Sequence, residues 1–313
     1  MALKNSKVLT PIKKIVKTRM KKMEHKKKFN KPFFFLNNSK ENETVCFILS
    51  GYKEFTWDIV YKRIKAFCPE NVDVCIVSSG LYSDKLLDIA NNYGWSYISM
   101  KRNNVCLALN SAIKEFPYAN KIFKLDEDIF ITEGFFDKLP VTFEKAKKDY
   151  NPGFAAPLLL INGFCYRTIL EKLNLVEFYS NKFEYPKIAA GPSMMIESSL
   201  DVAKFMWGDG GYIPKIDKIN NLFKDDNSFQ ICPIRFSIGA IYFERSLLEQ
   251  FNYFPVSKGN DMGKDEEFLC NLATTYSRSI VVSNNLLVGH LSFGKQNEGM
   301  KDYYLNNKDV FDI

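Results

Sequence analysis

The sequence predicts an α/β fold: a mostly parallel sheet with helices on both faces, preceded by a basic amphipathic N-terminal helix. Three observations predict it. From residue 43 onward, short apolar runs ending in small or polar residues alternate with stretches of helical periodicity, the pattern of parallel strands joined by crossover helices. The runs are apolar nearly throughout, as in strands covered on both sides. One of them climbs through Lys121-Ile122-Phe123-Lys124-Leu125 into Asp126-Glu127-Asp128, and ligands on such sheets bind beyond the C-terminal ends of the strands.

The N-terminal tract comes first in the chain. Residues 1–32 carry 12 of the 43 Lys and Arg and only one of the 36 acids, Glu24. Thr10-Pro11 reads as an N-cap with proline at the first helical position. Ile12, Ile15, Val16, Met20 and Met23 then follow at helical spacing among lysines and Arg19. A basic amphipathic segment over 10–28 is expected to lie on an anionic membrane surface. A solvated tail and a helix docked on a partner are the alternatives. Nucleic acid is not expected, because the remaining chain holds 31 bases against 35 acids and no recognisable module. Lys31-Pro32 and the polar stretch 37–42 read as linker.

Strands are predicted at 44–49, 72–77, 95–100 and 121–125, with helices at 57–67, 83–93 and 105–116 between them. Ser83 is the expected N-cap of the second helix, and Asn103 and Asn104 cap the third. The strand ends bring Ser50-Gly51, Ser78-Ser79-Gly80, Lys101-Arg102 and the acidic motif to one cleft. Lys101 and Arg102 read either as contacts for a phosphate or base carbonyl, or as a solvated pair. Beyond the motif, a helix is expected over 135–150, ended by Pro152-Gly153, then a strand over 154–161 and a helix over 167–176. Residues 180–230 are the least regular stretch, the usual mark of a lid or substrate loop. There Trp207 and Tyr212, beside Gly208-Asp209-Gly210-Gly211, are candidate sugar-stacking surfaces, although core packing is the commoner use of such rings. A strand over 231–243, a helix over 244–251 and strand-like runs at 279–283 and 286–288 complete the order.

Composition limits the functional classes. Seven cysteines with no Cys-x-x-Cys pair lie mostly within apolar runs, which argues for buried thiols and against a disulfide framework or zinc site. No run of about 18 apolar residues and no signal-peptide core occurs. The expected location is the cytoplasm, at the inner face of the membrane.

The acidic motif carries the chemistry. Asp126 and Asp128 sit at i and i+2, so in an extended chain they project to the same side. Two carboxylates so placed repel each other unless a cation joins them. A hard divalent ion, which takes one or two protein carboxylates and fills the remaining positions with substrate phosphate and water, meets that need. Two further signals lie downstream. Four acids occur among residues 261–267, including Asp265, Glu266 and Glu267, just ahead of the apolar face Phe268, Leu269 and Leu272; helix capping accounts for one or two of them. His290, one of only two histidines, follows an apolar strand and Gly289, where a ring nitrogen can reach a metal, though a lone histidine is more often a satisfied core residue.

The order Leu125-Asp126-Glu127-Asp128, then Asp265-Glu266-Glu267-Phe268, then Val288-Gly289-His290 resembles that of the GT-A glycosyltransferases, nucleotide-sugar-dependent enzymes with an Asp-x-Asp motif. The resemblance covers roughly 43–295. It implies a single catalytic domain over 43–313 behind an N-terminal segment 1–42, with a nucleotide-binding half at 43–150 and an acceptor-binding half at 151–313. It implies that Asp128 binds Mn2+ or Mg2+ with His290, and that Asp126 contacts the ribose or sugar and assists the metal. Glu127, Ser50, Gly51, Tyr52 and Ser78 fall at positions lining the donor. Asp265 matches the general base of inverting members. Lys264 stands where the pattern has an acid, which leaves Asp265 and Glu266 as alternatives. Ser78 replaces a common Asp, so nucleotide identity does not carry over; a UDP-sugar is the first expectation, with a glycan or lipid-linked acceptor in surface polysaccharide or glycoconjugate synthesis. Two other readings compete. A sugar-phosphate nucleotidyltransferase would share the core, but Ser50-Gly51-Tyr52-Lys53 is poor in glycine for a phosphate loop. A non-catalytic nucleotide-sugar-binding protein would not need two acidic clusters.

Overall fold

A computed structural model describes residues 28–313. The amphipathic segment expected over 10–28 lies outside the described residues except for Lys28. Among the described residues the sheet has ten strands: β1 (Phe34–Leu36), β2 (Thr44–Leu49), β3 (Val72–Ser79), β4 (Ser96–Met100), β5 (Lys121–Asp126), β6 (Ile129–Phe130), β7 (Pro152–Leu159), β8 (Phe229–Cys232), β9 (Ala240–Glu244) and β10 (Ser279–His290). The spatial order is β1-β4-β3-β2-β5-β9-β7-β10-β6, with β8 also on β10. β2, β3, β4 and β5 pair parallel, as do β7 and β10. Because β9 is antiparallel to both β5 and β7, these six strands share one direction. β1, β6, β8 and β9 run against them.

The residues explain the sheet. Val45, Cys46, Phe47 and Ile48 of β2 are fully buried, as are Cys75, Ile76 and Val77 of β3, so the strands are covered on both faces as their unbroken apolar runs require. The covering helices include Trp57–Phe67, Asp84–Tyr93, Val105–Glu115 and Phe135–Ala146. The first matches its expected bounds. The second starts after Ser83, whose hydroxyl accepts from the Leu86 amide, and the third after Asn104, whose side chain accepts from the Leu107 amide. All seven cysteines are free thiols. No helix among the described residues is long and apolar enough to cross a membrane.

Several elements differ from expectation. Residues 34–36, expected in the linker, form β1 on β4. The polar residues after it are also docked, since Ser39 and the backbone amides of Lys40 and Asn42 bond the Asp73 carboxylate. The run over 231–243 is two strands that pair with different neighbours, β8 with β10 and β9 with β5. A chain that breaks at Pro233 and resumes at Ala240 cannot be told from one long strand by hydropathy alone. The stretch 180–230 holds the helices Met195–Ser198, Leu200–Met206 and Ile216–Phe223, too short for their period to stand out in the sequence. The two runs near 280 are one strand with a register shift between Ser283 and Leu287.

Candidate active site

The parallel strands end on one rim, and there a cleft of about 390 Å3 opens. β9, running the other way, brings Ser237 and Ile238 to the same rim from its N-terminal side. Ser50, Tyr52, Asp126, Glu127, Asp128, Asp265, Glu266 and His290 all line the cleft. Ser78, Lys101 and Arg102 do not. The Ser78 hydroxyl is buried against the Leu81 carbonyl and Tyr97, while its neighbour Ser79 faces the cleft. The Arg102 guanidinium donates to the carbonyls of Ser257 and Gly259, and Lys101 is exposed on the surface.

The acidic motif is not a continuous extended run. β5 ends at Asp126, and Glu127-Asp128 form a turn into β6. The three carboxylates therefore diverge. Glu127 accepts from the backbone amides of Gly51 and Tyr52, both at 2.8 Å, and from Trp57 Nε1 at 2.6 Å. It clamps the loop after β2, where Gly51 has a φ of 143° that a side chain would strain. Burial raises its pKa, only partly countered by those three donors. Tyr52 is held at both ends, its amide on Glu127 and its hydroxyl on the Ser79 carbonyl at 2.8 Å, yet it is 61% exposed. The result is a fixed aromatic face over the cleft.

Asp126 pairs with Lys124 Nζ at 2.7 Å. Lys124 precedes it by two residues and so shares its side of the strand. Burial, together with Asp128 and Asp265, outweighs this lysine and lifts the Asp126 carboxyl to about 6. Lys124 is itself 3% exposed, donates to the Ile238 carbonyl at 3.0 Å and stands 3.8 Å from Asp265. It is thus the link between the two acidic regions.

Asp128, 3% exposed, meets Lys53 Nζ through Oδ2 at 2.5 Å. Burial pushes its pKa up, but Lys53 and His290 more than offset this and leave it low. The same oxygen lies 3.6 Å from His290 Nε2. His290 Nδ1 faces the Ile161 carbonyl at 3.3 Å, which places the proton there. Burial holds the imidazole below its ordinary pKa despite Asp128, so at neutral pH Nε2 presents a lone pair toward the carboxylate. The ring nitrogen and the carboxylate thus face each other without a shared proton, and Lys53 is the cation on that oxygen. Trp207 sets this end of β10. Its Nε1 donates to the carbonyls of His290 and Leu291 at 3.2 Å, and its ring lies on Gly289, where a Cβ would fall 2.2 Å from it. Trp207 is therefore a core residue, and Tyr212 stacks on Phe178 at 4.2 Å between ring centres, not on the cleft.

The far wall is the helix Lys264–Tyr276, whose first turn carries Asp265, Glu266 and Glu267, a placement favoured by the helix dipole. The loop before it is anchored. Asp261 accepts from Asn104 Nδ2 and the Ser257 amide, and the Asn260 carbonyl accepts from the Val105 amide. Glu266 is bonded by Arg235 at 2.6 Å and its pKa is raised by burial against that cation. Among the described residues, no side chain or amide donates to the Asp265 carboxylate; it meets only the Lys124 ammonium. A second hollow of about 640 Å3 adjoins the cleft and shares Gly263 and Glu266 with it. No group of three or more His, Cys, Asp or Glu among the described residues is placed to hold a metal by itself. A divalent ion would rest on Asp128 and His290, with its other positions open to phosphate oxygens and water. Sequence reasoning missed Lys53 and Lys124. Lys124 had a signal, a charge inside an apolar strand at i−2 from Asp126; Lys53 had only its place after the first strand of the alternating pattern.

No protein-family model matches the chain, and no curated protein matches its sequence. Among solved structures it is similar to the mannosyltransferase PcManGT from Pyrobaculum calidifontis in complex with GDP-Man and Mn2+, at 12% identity and a TM-score of 0.45, over 82% of this chain and 59% of that one. It is also similar to GalNAc-T7 with UDP, GalNAc and Mn2+, at 11% identity and a TM-score of 0.46, over 82% of this chain and 45% of that one.

Proposed function

We propose that the chain is a metal-dependent glycosyltransferase of the GT-A kind, moving a sugar from a nucleoside-diphosphate donor to a hydroxyl of a glycan or lipid-linked acceptor with inversion. The observation that carries this reading is a division of labour within one cleft. Asp128 and His290 face each other on one wall, and among the described residues Asp265 stands without a hydrogen-bond donor on the other.

Asp128 and His290 would hold Mn2+ or Mg2+. Such an ion supplies positive charge against a leaving diphosphate. Tyr52 presents a flat face on which the nucleobase stacks, and Ser79 and Ser50 offer hydroxyls beside it. Asp126, kept on Lys124, reaches the ribose or the sugar. Asp265 takes the proton of the acceptor hydroxyl as that oxygen bonds to the anomeric carbon. The bond from the anomeric carbon to the phosphate oxygen breaks, and its electron pair leaves with the nucleoside diphosphate. Arg235 holds Glu266 aside, which favours Asp265 over Glu266 as the base. The adjoining hollow beside Glu266 suits the acceptor. The charge pattern of 10–28 would bring the enzyme to an anionic, cytoplasmic membrane surface where a lipid-linked acceptor lies.

Thermal unfolding with UDP, GDP, CDP and dTDP, each with and without Mn2+, tests this reading. Ligand at 100 times its Kd stabilises by about 2.7 kcal/mol. A shift with one nucleotide, seen only with Mn2+, is expected; no shift with any of the four rejects the reading.

A further inference from the structure

Lys53 stands where the proposed function needs another cation. Its ammonium contacts Asp128 Oδ2 at 2.5 Å, the oxygen that also faces His290 Nε2. Two cations on one carboxylate oxygen repel strongly in a buried site. A metal ion on that oxygen therefore favours the departure of Lys53.

The local structure says which part moves. The backbone on both sides of Lys53 is fixed. Glu127 holds the Gly51 and Tyr52 amides, and the Lys53 carbonyl accepts from the Thr56 amide at 2.9 Å and its hydroxyl at 2.7 Å. The Glu127 carbonyl lies at the same 2.7 Å from Thr56 Oγ1, so the one hydroxyl proton is shared between the two carbonyls. The side chain is under no such restraint. It is 26% exposed, lines the cleft, and among the described residues its ammonium hydrogen-bonds only Asp128. A long flexible stem on a rigid base can exchange one partner for another at little cost. The charge around it says which cation can serve an anionic ligand. Five carboxylates line the cleft against two lysines, and Lys124 is buried between Asp126 and Asp265. Of those two lysines, Lys53 is the one able to turn toward an anionic ligand.

We infer that Lys53 is an exchangeable counter-ion: it neutralises Asp128 before ligands bind, and turns onto the diphosphate of the donor when a divalent ion takes Asp128 and His290. This rests on the donor-site reading above. The exchange couples the two ligands. Metal alone must displace Lys53 with no other anion to receive it; with the diphosphate present, Lys53 gains a partner as it loses one. Each ligand therefore tightens the other by the same factor.

Calorimetric or spin-resonance titration of Mn2+, alone and with saturating UDP or GDP, tests the inference on the wild type, Lys53→Met and Lys53→Gln. Gln keeps a donor for Asp128 in case Met leaves that carboxylate too poorly served to fold. In the wild type, nucleotide is expected to tighten Mn2+ at least about tenfold. In both variants Mn2+ alone is expected to bind about tenfold tighter than in the wild type, with the nucleotide effect reduced below about threefold. A lysine with a purely structural role would not strengthen metal binding when removed. Variants that bind Mn2+ alone no tighter than a competent wild type overturn the role of Lys53 and leave the donor site standing. A wild type that takes up no Mn2+ with either nucleotide overturns the donor-site reading, and this inference with it.

Discussion

Lys124 and Lys53 answer the same acidic turn in opposite ways. Lys124 sits inside β5, is 3% exposed and has three oxygen partners, on Asp126, Asp265 and the Ile238 carbonyl. Lys53 sits on a loop, is partly exposed and hydrogen-bonds one carboxylate. A cation built into a strand is a permanent part of the electrostatics, since removing it strands buried charge. A cation on a loop side chain can leave when a better one arrives. The difference teaches that the two carboxylates of this Asp-x-Asp motif are not equivalent, with Asp126 bound to the scaffold and Asp128 open to exchange.

The comparison can be broken in four ways. The largest effect is expected at Asp265, the proposed base, which Lys124 faces. Asp265→Asn should lower transfer about 10^2- to 10^4-fold, the usual contribution of a positioned general base, with the unfolding midpoint in urea nearly unchanged. A loss of less than about tenfold would move the base to Glu266. Next, Lys124→Met should cost about 3–5 kcal/mol of stability by leaving two carboxylates without their buried partner. Chemical denaturation would show this, and Mn2+ should not restore it. Lys53→Met should cost less, and Mn2+ should restore it. Equal losses, or equal rescue, would erase the distinction between the lysines. Third, Gly289→Ala should cost about 1–3 kcal/mol through overpacking against Trp207 and should weaken Mn2+ retention by shifting His290, as read in the same titration.

The smallest effect concerns pH. The Asp126 carboxyl is lifted to about 6 from an ordinary 3.8, so the folded state holds its proton more tightly than the unfolded chain. That contribution is complete below about pH 4 and is lost as pH rises through 6. Without metal, wild-type stability relative to Asp126→Asn should therefore fall between pH 4 and 6. The side chain is 36% exposed, so solvent screening keeps the change small. A flat difference would mean that Lys124 governs Asp126 more completely than burial does.

Much of the N-terminal half was legible in the chain because its cues are local. Ser83 and Asn104 cap the helices they were expected to cap, and the helix Trp57–Phe67 follows from its own periodicity. The later elements were less legible. Pro152 and Gly153, expected to break a helix, also begin β7; proline is tolerated at the first residue of a strand, and the register shift there leaves Gly153 at a bulge. Trp207 was ambiguous between sugar and core, and only its contact with Gly289 places it in the core.

By itself, the sequence determined the α/β alternation, the strand ends at which chemistry could gather, and the acidic and histidine signals that do line one cleft. Hydrophobic period and capping are properties of neighbouring residues, so they can be read along the chain. The tertiary structure alone decided the partners. It turned Glu127 into a clamp on the Gly51 loop, sent Arg102 to structural bonds, and set Lys53 on Asp128. Those choices depend on which strands lie side by side and on charges brought together from 75 or more residues apart, and no local pattern encodes that.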